Sequence, residues 1–271
     1  MNQLLQAPAW LLAILSIVLW CLLAGGLGVA GRRFLPAKAD DRYSDVQRML
    51  LSVGGIFCGV VVALSVFVVW DHHSGARQAE IDQGAALVAL YQDGETLPQP
   101  ARAQVAAAIR GYTTSMIREE FPALAGGGSS DDTERSLTRM SVTVHEFLAN
   151  TSAPDRVSDV ARAQYLLMLA GDAGLPPILW LLLLGACVLL LLVVSPAFME
   201  SRRHSILSSV VLGCIFGAAT FLIVAADHPF AGPLQVRPTD LAQNLRAYSV
   251  MDSGVASRPS PTPAGGAPAP R

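Results

Sequence analysis

Residues 50–70 read LLSVGGIFCGVVVALSVFVVW, with no Asp, Glu, Lys or Arg among them. At about 1.5 Å per residue, a helix of this length crosses a hydrocarbon core about 30 Å thick. Three further runs, 8–31, 177–196 and 205–226, are equally free of those four residue types. They fall as two pairs, with one polar segment of roughly a hundred residues between them. The pattern predicts an all-α integral membrane protein. Its four transmembrane helices form two hairpins, with an extracytoplasmic helical bundle between the second and third spans.

Composition agrees. Of 271 residues 52% are hydrophobic and 15% charged, and the mean hydropathy is +0.44, which is beyond the range of ordinary soluble domains. The first run is too long for a secretory signal, and Met1-Asn2-Gln3 supplies no basic n-region; it is expected to be a retained span.

The small net charge of −2 hides an asymmetry that orients the spans. Arg32, Arg33, Lys38, Arg42 and Arg48 lie between the first and second runs, and Arg202 and Arg203 between the third and fourth. The segment Asp71 to Asp172 carries eight arginines against fourteen acids. Because basic residues are retained on the cytoplasmic side, loops 32–49 and 197–204 are expected inside. Both termini and the 71–175 segment are expected outside, in a bacterial inner membrane. Trp10, Trp70 and Trp180 fall near the outer ends, at headgroup level. Trp20 is mid-span and reads as a packing residue.

The expected divisions are 1–70, a first hairpin; 71–175, the outer helical domain; 176–227, a second hairpin; 228–252, a short post-membrane segment; and 253–271, a Pro/Ala/Gly tail too poor in large apolar residues to fold. In the outer segment the second span is expected to continue as a helix to about Tyr91, with Ile81, Ala85, Val88 and Tyr91 on one stripe. Leu97-Pro98-Gln99-Pro100 breaks it. A second helix carries Val105, Ile109, Tyr112 and Met116 and is expected to end at Glu119-Glu120-Phe121-Pro122. Gly126 to Ser130 form a turn. Asp131 and Asp132 are expected to cap a third helix with Leu137, Met140, Val144 and Phe147. A fourth starts at Pro154-Asp155 and carries Val157, Val160, Ala163 and Leu167. An amphipathic piece runs from Thr239 to Tyr248.

Small residues stand four apart at Gly55 and Gly59, and at Gly213 and Gly217, a spacing that lets helices approach closely in lipid. Ser52, Gly54, Gly55, Gly59, Ser65, Gly213 and Gly217 are therefore read either as lining a pore or as packing helices. The four cysteines, Cys21, Cys58, Cys187 and Cys214, stand one per span. A four-thiolate metal site is conceivable, but without any CxxC spacing small apolar packing is the stronger reading. Asp71, His72, His73, Asp227 and His228 are expected to gather at the outer rim, where they suit a divalent metal less well than helix ends. Asp227 is expected to accept hydrogen bonds from the turn Pro229 to Gly232. With no Ser-His-Asp spacing, phosphate loop or HExxH, the chain is expected to be no enzyme, with no catalytic residue, metal or cofactor and no nucleic-acid partner. Charge-free spans also argue against proton-coupled transport.

Several segments together carry a resemblance. These are Gly31-Arg32-Arg33; Ala79-Glu80 through Leu90-Tyr91 to Leu97-Pro98; Met116-Ile117-Arg118-Glu119-Glu120-Phe121-Pro122; Leu175-Pro176-Pro177-Ile178-Leu179-Trp180 with Gly185-Ala186; and Asp227-His228-Pro229-Phe230-Ala231-Gly232 with Val236 and Pro238. The chain resembles the bacterial bestrophin-like domain family over most of residues 10–248. Asp227, Pro229, Phe230 and Gly232 match that family's Asp-x-Pro-Phe-x-Gly signature, and Phe121 stands where the family often has Trp. The resemblance implies a link to anion channels and a homo-oligomer in the lipid bilayer. Bestrophins place their large soluble part in the cytoplasm, whereas charge here argues for the outside. The alternative is a non-enzymatic envelope sensor or scaffold, which binds a ligand or an unidentified membrane or periplasmic protein through its outer helices.

Overall fold

The computed structural model describes residues 9–34, 41–172, 174–197, 202–232 and 234–256. Among these no strand occurs, and the chain is all-α. In chain order the helices are α1 (Ala9–Phe34), α2 (Asp41–Gly94), α3 (Ala101–Ser115), α4 (Phe121–Ala125), α5 (Asp131–Leu148), α6 (Ala153–Asp172), α7 (Pro177–Ala197), α8 (Arg202–Asp227) and α9 (Thr239–Ala256). The stretches long and apolar enough to span a membrane are Ala9–Leu27, Met49–Gly94 (whose apolar part is the quoted run), Pro177–Val194 and Val210–Asp227. Lys38 lies outside the described residues. So do the side chains of Arg32, Arg33, Arg42, Arg48, Arg202 and Arg203, on which the expected orientation rests.

Packing divides the chain into two compact units. The first holds residues 1–80, 120–130 and 162–237, and the second 81–119, 131–161 and 238–271. In the first unit, Trp20, Cys58, Val61, Leu183, Cys187, Leu190, Phe216 and Ile223 form the centre of a buried cluster drawn from all four spans. Trp20 is buried, as its mid-span position suggested, and meets Phe216 edge-on at 5.6 Å. The outward positions carry large exposed apolar side chains, among them Leu19, Leu22, Ile56, Phe67, Leu181 and Ile215. In water such a surface would drive association; in lipid it is the normal solvent-facing side.

α1 packs chiefly on α8 and less on α7. The reason is written in two glycines. A Cβ placed on Gly217 would stand 2.5 Å from Ile17 Cα, and one on Gly213 2.9 Å from Cys21 Cα. The helices therefore touch backbone to backbone, and only a hydrogen at these positions allows it. Ser16 adds an Oγ–H donation to the Gly217 carbonyl at 2.9 Å.

In the second unit α3 packs on α5, and α9 on α3. The predicted stripe Val105, Ile109, Tyr112 and Met116 is fully buried, and so are Met140, Val144 and Val160, with Val157 nearly so. Other expectations need correction. α2 does continue past Tyr91, but its buried stripe is Ala76, Ala79, Glu80, Gln83, Leu87, Leu90 and Tyr91; of the expected stripe Tyr91 is buried and Val88 half-buried, while Ile81 is 38% exposed and Ala85 also faces out. Two polar residues on the inner face hide that stripe from a hydropathy pattern.

The chain does not leave the helix at Glu119-Glu120. It widens into a π turn over Met116–Glu120 and re-enters α-helix at Phe121. Pro122 has no N–H and would clash in a helix interior. The wide turn delivers it instead to the start of α4, where proline is tolerated. Asp131 and Asp132 are not caps but the first residues of α5, where their charge favours the positive helix end. Finally, α9 runs to Ala256, so Ser253 is helical and bonds back to the Ser249 carbonyl. Residues 257–271 of the expected tail lie outside the described residues.

Candidate functional site

Two places in the first unit gather the residues singled out in the sequence. The first is the exit from α8. Asp227 does not bond to the turn that follows it. Its Oδ1 accepts the backbone N–H of Leu175 at 2.6 Å, just before α7. The turn closes by itself, with Ala231 N–H donating to the His228 carbonyl and Val236 N–H to the Pro229 carbonyl. Gly232 sits at φ +89°, a left-handed conformation that side chains resist. Phe230 is thereby turned inward onto Phe121, ring centroids 5.7 Å apart and nearly perpendicular. The motif residues Asp, Phe and Gly thus have three separate tasks: accept, plug and turn. A cavity of about 100 Å³ remains beside them, lined by Leu124, Gly126, Gly171, Pro229 and Phe230.

Among the described residues no three His, Cys, Asp or Glu side chains are placed to hold a metal ion. His73 is engaged by its Nε2 with the Leu234 carbonyl at 2.6 Å and stacks on Trp70. The four cysteines likewise form no four-sulfur cluster. They meet as two pairs, Cys21 with Cys214 and Cys58 with Cys187.

The second place is α2 within the apolar run. Gly54 faces Leu190, and Ser65 is fully buried with its hydroxyl donated to the Val61 carbonyl. These two therefore pack, as do Gly213 and Gly217. Ser52 and Gly59 are exposed, Gly55 is half-buried, and a Cβ on either glycine would meet nothing within 4 Å. The seven candidates thus divide into four that face protein and three that face away from it.

In the second unit Arg110 lies beside the stacked rings of Tyr91 and Tyr248, which are 4.3 Å apart, with its Cζ 5.5 and 5.7 Å from the two centroids. It donates to the Tyr91 hydroxyl at 3.0 Å and to Asp252 at 2.5 Å, and Tyr91 donates to the other Asp252 oxygen at 2.6 Å. Burial pushes the Tyr248 hydroxyl up to about 12, and burial with the Asp252 carboxylate pushes Tyr91 upward too. This cluster fastens α9 to α2 and α3. A groove of about 720 Å³ runs between α3 and α5, with Gly111 and Ser115 on one wall and Arg135, Arg139 and Glu146 on the other.

Sequence reasoning missed the buried acids Glu80 and Glu120, both without solvent exposure. Glu120 accepts the Ser130 N–H at 2.9 Å. Helical spacing from Ala76 and Ala79 to Gln83 and Leu87 would have placed Glu80 inward, had polar residues been allowed on that face.

No curated protein sequence matches the chain. Its likeness to solved structures is extensive at low identity. A tryptophan-to-alanine variant of a bacterial bestrophin homologue from Klebsiella pneumoniae shares 12% identity at TM-score 0.67, covering 89% of this chain and 98% of that one. Another structure of that homologue, solved by zinc phasing, shares 13% at TM-score 0.64, covering 89% and 98%. A structure titled as a membrane protein shares 13% at 0.66, covering 88% and 98%. The fold is therefore that of the bacterial bestrophin homologues. The Bestrophin-like domain profile matches residues 18–241, most of the chain, and so the chain belongs to the bestrophin-like domain family.

Proposed function

We propose that the chain assembles as a homo-oligomer in a bacterial inner membrane and conducts ions, anions foremost, along the open face of α2. The observation that carries this reading is the outward set of Ser52, Gly55 and Gly59 on the charge-free stretch 50–70 of α2, where Gly54 and Ser65 are already packed. Four apolar helices from one chain cannot enclose a polar path, so copies of α2 must supply its wall. Backbone dipoles, hydroxyls and apolar constrictions then select the ion. The bestrophin fold and the family membership support the same reading. In it, loops 32–49 and 197–204 are cytoplasmic, both termini and the 71–175 domain are outside, and the chain is divided as its spans divide it.

The test is purification in mild detergent, measurement of the assembled mass, and then ion flux in liposomes. An assembly of several copies with flux is expected; a monomer without flux overturns the proposal. The groove between α3 and α5, with its arginines and acids, favours a second reading: a ligand or protein partner bound by the outer helices. Flux that is absent in a well-formed oligomer, with a bound molecule retained on purification, would favour it.

A further inference from the structure

The cysteines are the reactive side chains of the spans, and each has another within reach. Cys21 Sγ of α1 lies 3.7 Å from Cys214 Sγ of α8, and Cys58 Sγ of α2 lies 3.7 Å from Cys187 Sγ of α7. The first pair is held there by the backbone. Gly213 presses so close to α1 that a Cβ on it would stand 3.1 Å from Cys21 Sγ, and Gly217 fixes the next turn. The adjoining Trp20–Phe216 contact fills the inner side of the same crossing. The two sulfurs, 3.7 Å apart, must close to about 2.05 Å to bond.

The pairs differ in access. Cys58 and Cys187 are 2% and 1% exposed, whereas Cys21 and Cys214 are part-exposed. Around the latter, Leu22, Val210, Val211 and Ile215 are exposed apolar side chains that would face lipid. Water-soluble thiol reagents partition poorly into hydrocarbon, so what reaches this pair is itself lipid-soluble.

We propose that Cys21 and Cys214 form a reversible disulfide that links α1 to α8, with a lipid-soluble quinone as the oxidant. Both S–H bonds break and one S–S bond forms. The two electrons reduce the quinone, and the two protons end on its oxygens to give the quinol. Everything on the protein side stays uncharged, which the bilayer interior demands. A soft metal such as Cu(I) favours two thiolates, but that complex would leave a net negative charge in spans that contain no Lys or Arg, so the disulfide is favoured. The inference is independent of ion conduction.

The test uses the full chain, reduced and reconstituted in phosphatidylcholine–phosphatidylglycerol vesicles, with decylubiquinone added. After unfolding, free thiols are alkylated with iodoacetamide and the digest is mapped by mass spectrometry. Alkylation is expected to be lost at Cys21 and Cys214 together. One linked peptide pair should appear, reversed by dithiothreitol, while Cys58 and Cys187 stay alkylated. Oxidised glutathione added outside should give no link. Cys214→Ser should leave Cys21 alkylated and unlinked; the wild-type map stands by itself if that variant does not fold. Full alkylation of Cys21 under excess quinone overturns the proposal. So does a link from Cys21 to any cysteine other than Cys214 of its own chain, or oxidation of Cys58 and Cys187 first. Protection of the pair by Cu(I), with no linked peptide under quinone, assigns it to metal instead.

Discussion

Asp227 and Leu175 are joined by a single hydrogen bond, carboxylate Oδ1 to backbone N–H at 2.6 Å, across 52 positions of chain. It ties the end of α8 to the entrance of α7, and Leu175 itself is buried. Asp227→Ala leaves that N–H without its acceptor and is expected to cost about 1–3 kcal/mol. Asp227→Asn keeps an oxygen in place and should lose less. Thermal unfolding of the two variants in one detergent checks the order; equal loss in both would show that charge, not the bond, matters.

Gly217 and Gly59 offer opposite substitutions. Gly217→Leu drives a side chain into the α1 backbone, an overpacking expected to cost at least about 1–3 kcal/mol. Gly59→Leu meets open space within the chain. It should leave the unfolding of a single chain unchanged while reducing assembled mass or ion flux. Unaltered flux in a fully assembled Gly59→Leu variant would remove this face from the pathway.

Tyr248 predicts an alkaline weakness. Its hydroxyl is pushed to about 12 in the fold, while an unfolded tyrosine titrates near 10. Between these values the unfolded chain has lost a proton that the folded chain keeps, so stability falls as pH rises. The contribution is fully present below about pH 10 and lost by about pH 12. It amounts to roughly 2–3 kcal/mol. Tyr248→Phe should flatten the fall in denaturant midpoint over that interval; the same fall in the variant would place its origin elsewhere.

Orientation is checked with a cysteine-free version carrying one new thiol. Placed in the turn at Gly127, it is expected to react with an impermeant reagent added to intact cells, whereas a thiol at Ala37 is expected to react only after lysis. The reverse pattern would turn the spans over.

What could be read without coordinates followed from how cleanly polarity tracks burial. The spans, the stripe Val105, Ile109, Tyr112 and Met116 and the stripe Val157, Val160, Ala163 and Leu167 are mostly apolar where they are buried, with Ser65 an exception. Reading failed where the inner face is polar. Glu80 and Gln83 concealed the true stripe of α2, and Glu119-Glu120-Phe121-Pro122 looked like an end because nothing in a residue pattern announces a π turn. The sequence marks Asp227 as a hydrogen-bond acceptor for the turn that follows it, yet its partner lies 52 positions earlier, a tertiary choice with no local signal. Gly55 and Gly213 look alike as letters; only packing separates an open face from a closed one.

The contact of Gly213 and Gly217 with α1 also bears on the order of synthesis. Ser16 and Gly217 are 201 positions apart, so α1, made before the other three described spans, has its main partner in the last of the four. Until α8 is made, α1 must wait in the bilayer with its closest-fitting surface against lipid or a temporary neighbour. Chains cut short before Gly213 should for that reason be prime substrates for membrane quality control, even with three spans correctly inserted.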